Sequence, residues 1–198
     1  KTFLTLIETI EVSKNKNPEN QRFPVQTIIR PHTARYHDYR GYAGRIASGV
    51  FRPGDEIIVL PSMSKSKIKS IDVMGKSLIE SRAGDSVAIS LEDEIDISRG
   101  DMIVSPHNLP KISQDINVMV CWFNERQLKV GGRYLIRINS NEAECIIKSV
   151  NYRMNIDSLE EDFENLIINM NDIANISIKT SRPIFFDSYK ENNITGSL

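Results

Sequence analysis

The sequence is poor in the residues that most often announce chemistry. Its 198 residues include two cysteines, three histidines and one tryptophan. Cys121 and Cys145 lie inside apolar runs and read as buried thiols, which fits a reducing, cytoplasmic compartment. His32, His37 and His107 are scattered, and neither CxxC nor HxxxH occurs, so the usual zinc spacings are missing. No apolar run approaches the ~18 residues that a membrane helix needs, and no signal peptide is visible. An excess of one charge is missing too. Lys and Arg number 25 against 26 Asp and Glu, for a net charge of −1. No global field therefore draws the chain to nucleic acid or to an anionic membrane.

What is present is a series of short β-rich runs. A first segment, Lys1 to Val12, places Phe3, Leu6, Ile7 and Ile10 at helical spacing. Ser13 to Gln21 is polar and reads as a linker. From Arg22 onward the pattern predicts strands over Tyr42–Ser48, Glu56–Leu60, Lys65–Val73, Ser77–Ser81, Ser86–Leu91 and Met102–Val104. Arg52-Pro53-Gly54-Asp55 has the chemistry of a type II turn, and Ala83-Gly84-Asp85 and Arg99-Gly100-Asp101 are similar breaks. Pro106 and Pro110 mark a boundary. Beyond it, strands are expected over Asp115–Phe123, Tyr134–Asn139, Glu144–Arg153, Asp172–Thr180 and Pro183–Phe186. Gly131-Gly132 is a hairpin signal, and the acidic Asp157–Glu164 reads as a loop or one helical turn. Long helices never alternate with strands, so an α/β sheet is excluded. The expected fold is all-β, two tandem barrels after a short N-terminal helix. The expected domains are 1–21, 22–107 and 108–198.

Three fragments imitate nucleotide-binding motifs. Gly75-Lys76-Ser77 looks like the end of a P-loop, but Ser70 stands where the first glycine belongs and the context is a strand entering a turn. Asp38-Tyr39-Arg40-Gly41 and Asp72-Val73-Met74-Gly75 fit only Asp-x-x-Gly. Asn15-Lys16-Asn17-Pro18 lacks the aspartate that would read guanine. Their order is also wrong for a GTPase. The run Glu92, Asp93, Glu94 and Asp96 has carboxylates but not the spacing of a calcium loop, and reads as a solvated edge or an interface. No catalytic residue, cofactor ligand or metal ligand is assigned. Of Trp122 and Phe123, core packing and partner contact are the two readings.

Arg22-Phe23-Pro24-Val25-Gln26, Arg40-Gly41-Tyr42-Ala43-Gly44, Ala47-Ser48-Gly49, Pro53-Gly54-Asp55 and Ala83-Gly84-Asp85 together resemble the second domain of translation GTPases such as elongation factor Tu. Val59-Leu60-Pro61-Ser62 and the run Leu91 to Asp101 bring the resemblance closer to the large, GTPase subunit of bacterial sulfate adenylyltransferases. Pro183-Ile184, Phe186-Asp187, Tyr189, Asn192 and Thr195-Gly196-Ser197 resemble that family's third domain. Two departures stand out. Thr33–Asp38 is longer than the family loop, and Val120-Cys121-Trp122-Phe123 varies a strand that often reads Leu-Val-Trp-Met.

The resemblance implies a fragment whose first residues end a GTPase domain, in keeping with a chain that opens on Lys1 and stops at Leu198. It implies that GTP and Mg²⁺ belong to that other domain. It also implies a small catalytic subunit as partner, and a whole enzyme that makes adenosine 5′-phosphosulfate from ATP and sulfate. Gly41, Gly44, Gly49 and Gly54 would then be structural. Arg40, Tyr42 and Trp122 are the residues expected at the partner interface. The competing expectation, from the same superfamily, is a pair of tRNA-binding barrels.

Overall fold

Alternation of apolar and polar side chains decides the architecture. The computed structural model describes residues 4, 19–31 and 39–198, and every regular element within 19–31 and 39–198 is a β-strand. Of the helix expected over Lys1–Val12 only Leu4 is among the described residues, where it is helical. The Thr33–Asp38 loop, His32, His37, and the Asn15–Pro18 fragment lie outside them. The chain divides into two compact units between Leu109 and Pro110, and Ser188–Ile194 belongs to the first unit. The sequence reading placed the division at 107/108 and kept all of 108–198 together.

The first unit holds β1 (Arg22–Ile29), β2 (Gly41–Arg45), β3 (Val50–Phe51), β4 (Glu56–Leu60), β5 (Ser64–Val73), β6 (Lys76–Ser77), β7 (Ser81–Arg82), β8 (Ser86–Leu91) and β9 (Met102–Val104). Antiparallel pairing runs β4-β9-β1-β2-β8-β5, and β5 pairs back with β4. Those six strands follow one another in a ring, an arrangement that leaves no long open edge. Inside lie Phe23, Val25, Tyr42, Ile57, Ile68, Ile71, Ile89 and Ile103, all buried. Each buried aliphatic side chain stabilises the fold by about 1.5–3 kcal/mol. A register shift between Ile68 and Ser70 lets both Ile68 and Ile71 face the core, which strict alternation would forbid. The single strand expected over Ser77–Ser81 is instead two short ones. Leu78 turns inward against the core while Ile79 points to solvent, and the chain leaves β5 to pair with β3.

The second unit holds β10 (Lys111–Cys121), β11 (Arg133–Ile138), β12 (Asn141–Met154), β13 (Glu161–Asp162) and β14 (Ile173–Phe186), ordered β10-β14-β12-β11 with β13 beside β12. Its core gathers Ile116, Ile138, Cys145, Ile147, Ile176 and Ile178. Three expectations change here. β14 is one strand through Pro183, because the register shifts opposite Ser113 and Asp115 and the proline falls in that irregular stretch, where no ladder N–H is required. Gly131 does make a tight turn, with Gly132 N–H donating to Lys129 O at 3.0 Å, but no strand precedes it, so it is not a hairpin. Cys121 is exposed rather than buried, because it shares the outward face of β10 with Asn117 and Met119.

Candidate partner interface

One device recurs at the points that shape both units. Four turns, Arg52–Asp55, Arg82–Asp85, Ser98–Asp101 and Asn169–Asp172, share a geometry. In each, the fourth N–H donates to the first carbonyl at 3.0–3.1 Å. In each, the aspartate Oδ2 accepts the first residue's N–H, at 2.8, 2.9, 2.7 and 2.7 Å respectively. The third residue has φ of 90°, 98°, 97° and 70°. Glycine or asparagine adopts that backbone most readily. The carboxylate then satisfies an N–H that the turn would leave bare. The fourth turn escaped the sequence reading because Asn171 replaces glycine. Asp85 also accepts the Ser81 hydroxyl at 2.8 Å. These bonds, led by the Arg82 N–H, hold its carboxyl below the ordinary aspartate range.

Gly75-Lys76-Ser77 sits in a different turn. Met74 and Gly75, at φ 48° and 78°, form the two-residue link between β5 and β6, with Val73 paired to Lys76. No helix follows, so the phosphate-cradling N–H array of a P-loop is not built there. Among the described residues, no three His, Cys, Asp or Glu side chains gather in a metal-binding group. The acidic run disperses its carboxylates: Asp93 accepts the Ser66 hydroxyl at 2.8 Å and Asp96 meets Arg40 at 3.2 Å. Cys145 borders a cleft of about 300 Å³ with Arg133, Glu144 and Lys179, and burial pushes its thiol pKa up, away from the reactive thiolate. No helix among the described residues is long and apolar enough to cross a membrane.

The structure brings Arg40 and Tyr42 together. The Arg40 guanidinium stands 5.5 Å from the centre of the Tyr42 ring, and the Tyr42 hydroxyl donates to Ile95 O at 2.8 Å. Burial raises the Tyr42 pKa against the pull of Arg40. This corner pins the acidic run to β2. Tyr42 is 1% exposed, which corrects its expected place at a partner interface: it belongs to the core, where its hydroxyl holds the segment around Ile95. Trp122 belongs to the second unit. Its ring meets Tyr134 edge-on at 5.6 Å and its Nε1 donates to Arg126 O at 2.7 Å. Its backbone also pairs with Asn171 and Asp172. Trp122 is thus a half-buried brace, and Phe123, 76% exposed, is the member of the pair that reaches solvent.

Comparison with known proteins matches this frame. Residues 42–104 fit the elongation factor Tu domain 2 family and residues 115–198 the GTP-eEF1A C-terminal domain-like family. Sulfate adenylyltransferase subunit 1 of Bacteroides thetaiotaomicron is 34% identical over 204 residues, covering 99% of this chain and 41% of that protein. Its counterpart in Sulfurovum sp. is 38% identical over 202 residues, covering 98% and 41%. The chain belongs to the sulfate adenylyltransferase large-subunit family. It corresponds to the elongation factor Tu-like second and third domains of that family. The bifunctional enzyme CysN/CysC of Mycobacterium tuberculosis is 36% identical over 197 residues, covering 99% of this chain and 32% of that enzyme. The chain therefore spans about a third to two fifths of the length of these curated relatives. The fold is shared more widely. A structure of sup35 complexed with GDP has a TM-score of 0.81 at 12% identity, over 98% of this chain and 47% of that one. Translation elongation factor SelB from Methanococcus maripaludis has a TM-score of 0.68 at 18% identity, over 93% and 40%. In this family setting, the glycines of the Arg40–Gly54 motif region act through backbone geometry. A Cβ on Gly44 would stand 2.3 Å from Pro24 O, so β1 and β2 approach each other only because that side chain is missing.

Proposed function

We propose that this chain is the non-catalytic barrel region of a GTP-dependent sulfate adenylyltransferase. In this reading the whole enzyme forms adenosine 5′-phosphosulfate and pyrophosphate from ATP and sulfate, in sulfate assimilation. GTP and Mg²⁺ bind a separate GTPase domain of the same protein, and the two β units support that domain and dock the small catalytic subunit. With ATP and GTP as its nucleotides, the enzyme works in the cytoplasm.

The observation that carries the reading is 34–38% identity, over nearly the whole chain, to proteins named sulfate adenylyltransferase subunit 1. Two features support it. The nucleotide-like fragment at Gly75 is a hairpin, and Cys145 is shielded rather than activated. The test uses the full-length large subunit co-expressed with its small subunit. We expect a stable complex whose pyrophosphate release from ATP and sulfate rises with GTP, and no such activity from residues 1–198 alone. Tight tRNA binding by the chain, weakening steeply with salt, would instead favour a translation role.

A further inference from the structure

The stretch between β12 and β14, residues 155–172, contains six carboxylates and no basic residue, in a chain of net charge −1. Two of the six serve the fold. Asp162 accepts the Glu164 and Asn165 N–H groups at 3.0 Å and faces Arg153 at 3.4 Å, while Asp172 closes its turn. Asp157, Glu160, Glu161 and Glu164 face water. Between them Leu159 is 75% and Phe163 61% exposed.

These apolar groups are held, not loose. Asn155 Oδ1 accepts the Asp157 and Ser158 N–H groups, and Leu159 N–H donates to Asn155 O at 2.8 Å. Leu159 itself has φ 59°, a backbone state a leucine seldom adopts. The Phe163 ring lies 5.6 Å from that of Tyr152, and the Tyr152 hydroxyl reaches Met119 Sδ at 3.5 Å. Met119, Asn175 and Tyr152 are register partners across β10, β14 and β12. An apolar strip therefore runs from Met119, on the outward face of the sheet, through Tyr152 to Phe163, with Leu159 exposed four residues before Phe163 and carboxylates between them in sequence. Exposed apolar groups rimmed by charge are the anatomy of a protein-binding site.

Resting on the function proposed above, we infer that this surface docks the small catalytic subunit, which presents basic side chains around an aliphatic or aromatic anchor. The charge argues for that occupant. Four water-facing carboxylates around the apolar groups, of which Glu161 also accepts from the Tyr152 hydroxyl, would repel an acidic partner and would speed the approach of a basic one.

The experiment measures binding of the full-length large subunit to its small subunit. The variants are Leu159→Asn with Phe163→Ala, and separately Glu160→Gln/Glu161→Gln/Glu164→Gln. Asparagine suits the backbone at 159, and the charge triple leaves apolar packing intact, so folding is protected. We expect the first variant to weaken binding at least ~10-fold at an unchanged melting temperature. The second should slow association several-fold and flatten its salt dependence. Wild-type affinity and salt dependence in both variants would overturn this surface and leave the proposed function standing. Failure of the wild-type protein to bind the small subunit would instead remove the function itself. A wild-type dimer of the large subunit that Phe163→Ala dissolves would assign the surface to a second copy and also overturn the inference.

Discussion

The Asn192 side-chain amide donates to the Ser48 hydroxyl at 2.9 Å, joining residues 144 positions apart. Both side chains are buried, and the Ser48 hydroxyl donates in turn to Asn20 O at 2.6 Å. A segment close to the C-terminus thereby becomes part of the first unit, whose strands end with β9.

Asn192→Ala should cost about 1–3 kcal/mol, because it strands a buried hydroxyl acceptor and opens a void. Urea unfolding against a Met74→Ala control, at a fully exposed hairpin position, would measure it. Equal stability of the two variants would mean that the Asn192 bond contributes nothing net.

Gly44→Ala should be the most damaging of the glycine substitutions in β2. The new methyl meets Pro24 O, a backbone atom in a paired strand that cannot swing aside. A loss of about 2–3 kcal/mol is expected from such overpacking. Gly75→Ala has open space and strains only the backbone, so about 1–2 kcal/mol is expected there. Denaturant midpoints of the two variants check the order.

Stability should fall in acid through the turn carboxylates. Asp85 and Asp162 are both held below the ordinary aspartate range, Asp85 first by the Arg82 N–H and Asp162 first by the Asn165 N–H. A depressed folded-state pKa means that the unfolded chain binds the proton more tightly. Their contribution is complete above the unfolded value of about 3.9 and is lost as pH falls through the lower folded value. Melting temperature followed from pH 6 downward should drop below about pH 4, and Asp85→Asn should shallow that drop. An identical acid slope in the variant would contradict this role for Asp85.

Trp122→Phe keeps an aromatic ring against Tyr134 but removes the donor to Arg126 O. The expected cost is about 1 kcal/mol, that of one net hydrogen bond. Because Trp122 is the one tryptophan of the chain, its fluorescence in the parent protein reports the second unit. Gly44→Ala, in the first unit, should therefore shift the circular dichroism transition more than the fluorescence transition.

Much of the fold was legible in advance. Glu56–Leu60, Ser86–Leu91 and Met102–Val104 were read with their observed limits, because alternation and Gly-Asp turns are local signals. The exposure of Cys121 and the burial of Tyr42 were not legible. Which face of a strand meets the core depends on its partners, and a one-residue change of register exchanges the two faces. The Leu159–Phe163 surface was missed for a related reason. Its segment read only as acidic, and nothing local says that its apolar residues remain outside.

By itself, then, the sequence determined the class of fold, the three Gly-Asp turns and the family, since each rests on residue types at short spacing. Only the tertiary structure decided that six strands of the first unit pair in a ring, that Ser188–Ile194 joins that unit, and which side chains face water. Those outcomes depend on contacts between residues far apart in the chain, where the gain from burial and hydrogen bonding must exceed the entropy of closing a long loop.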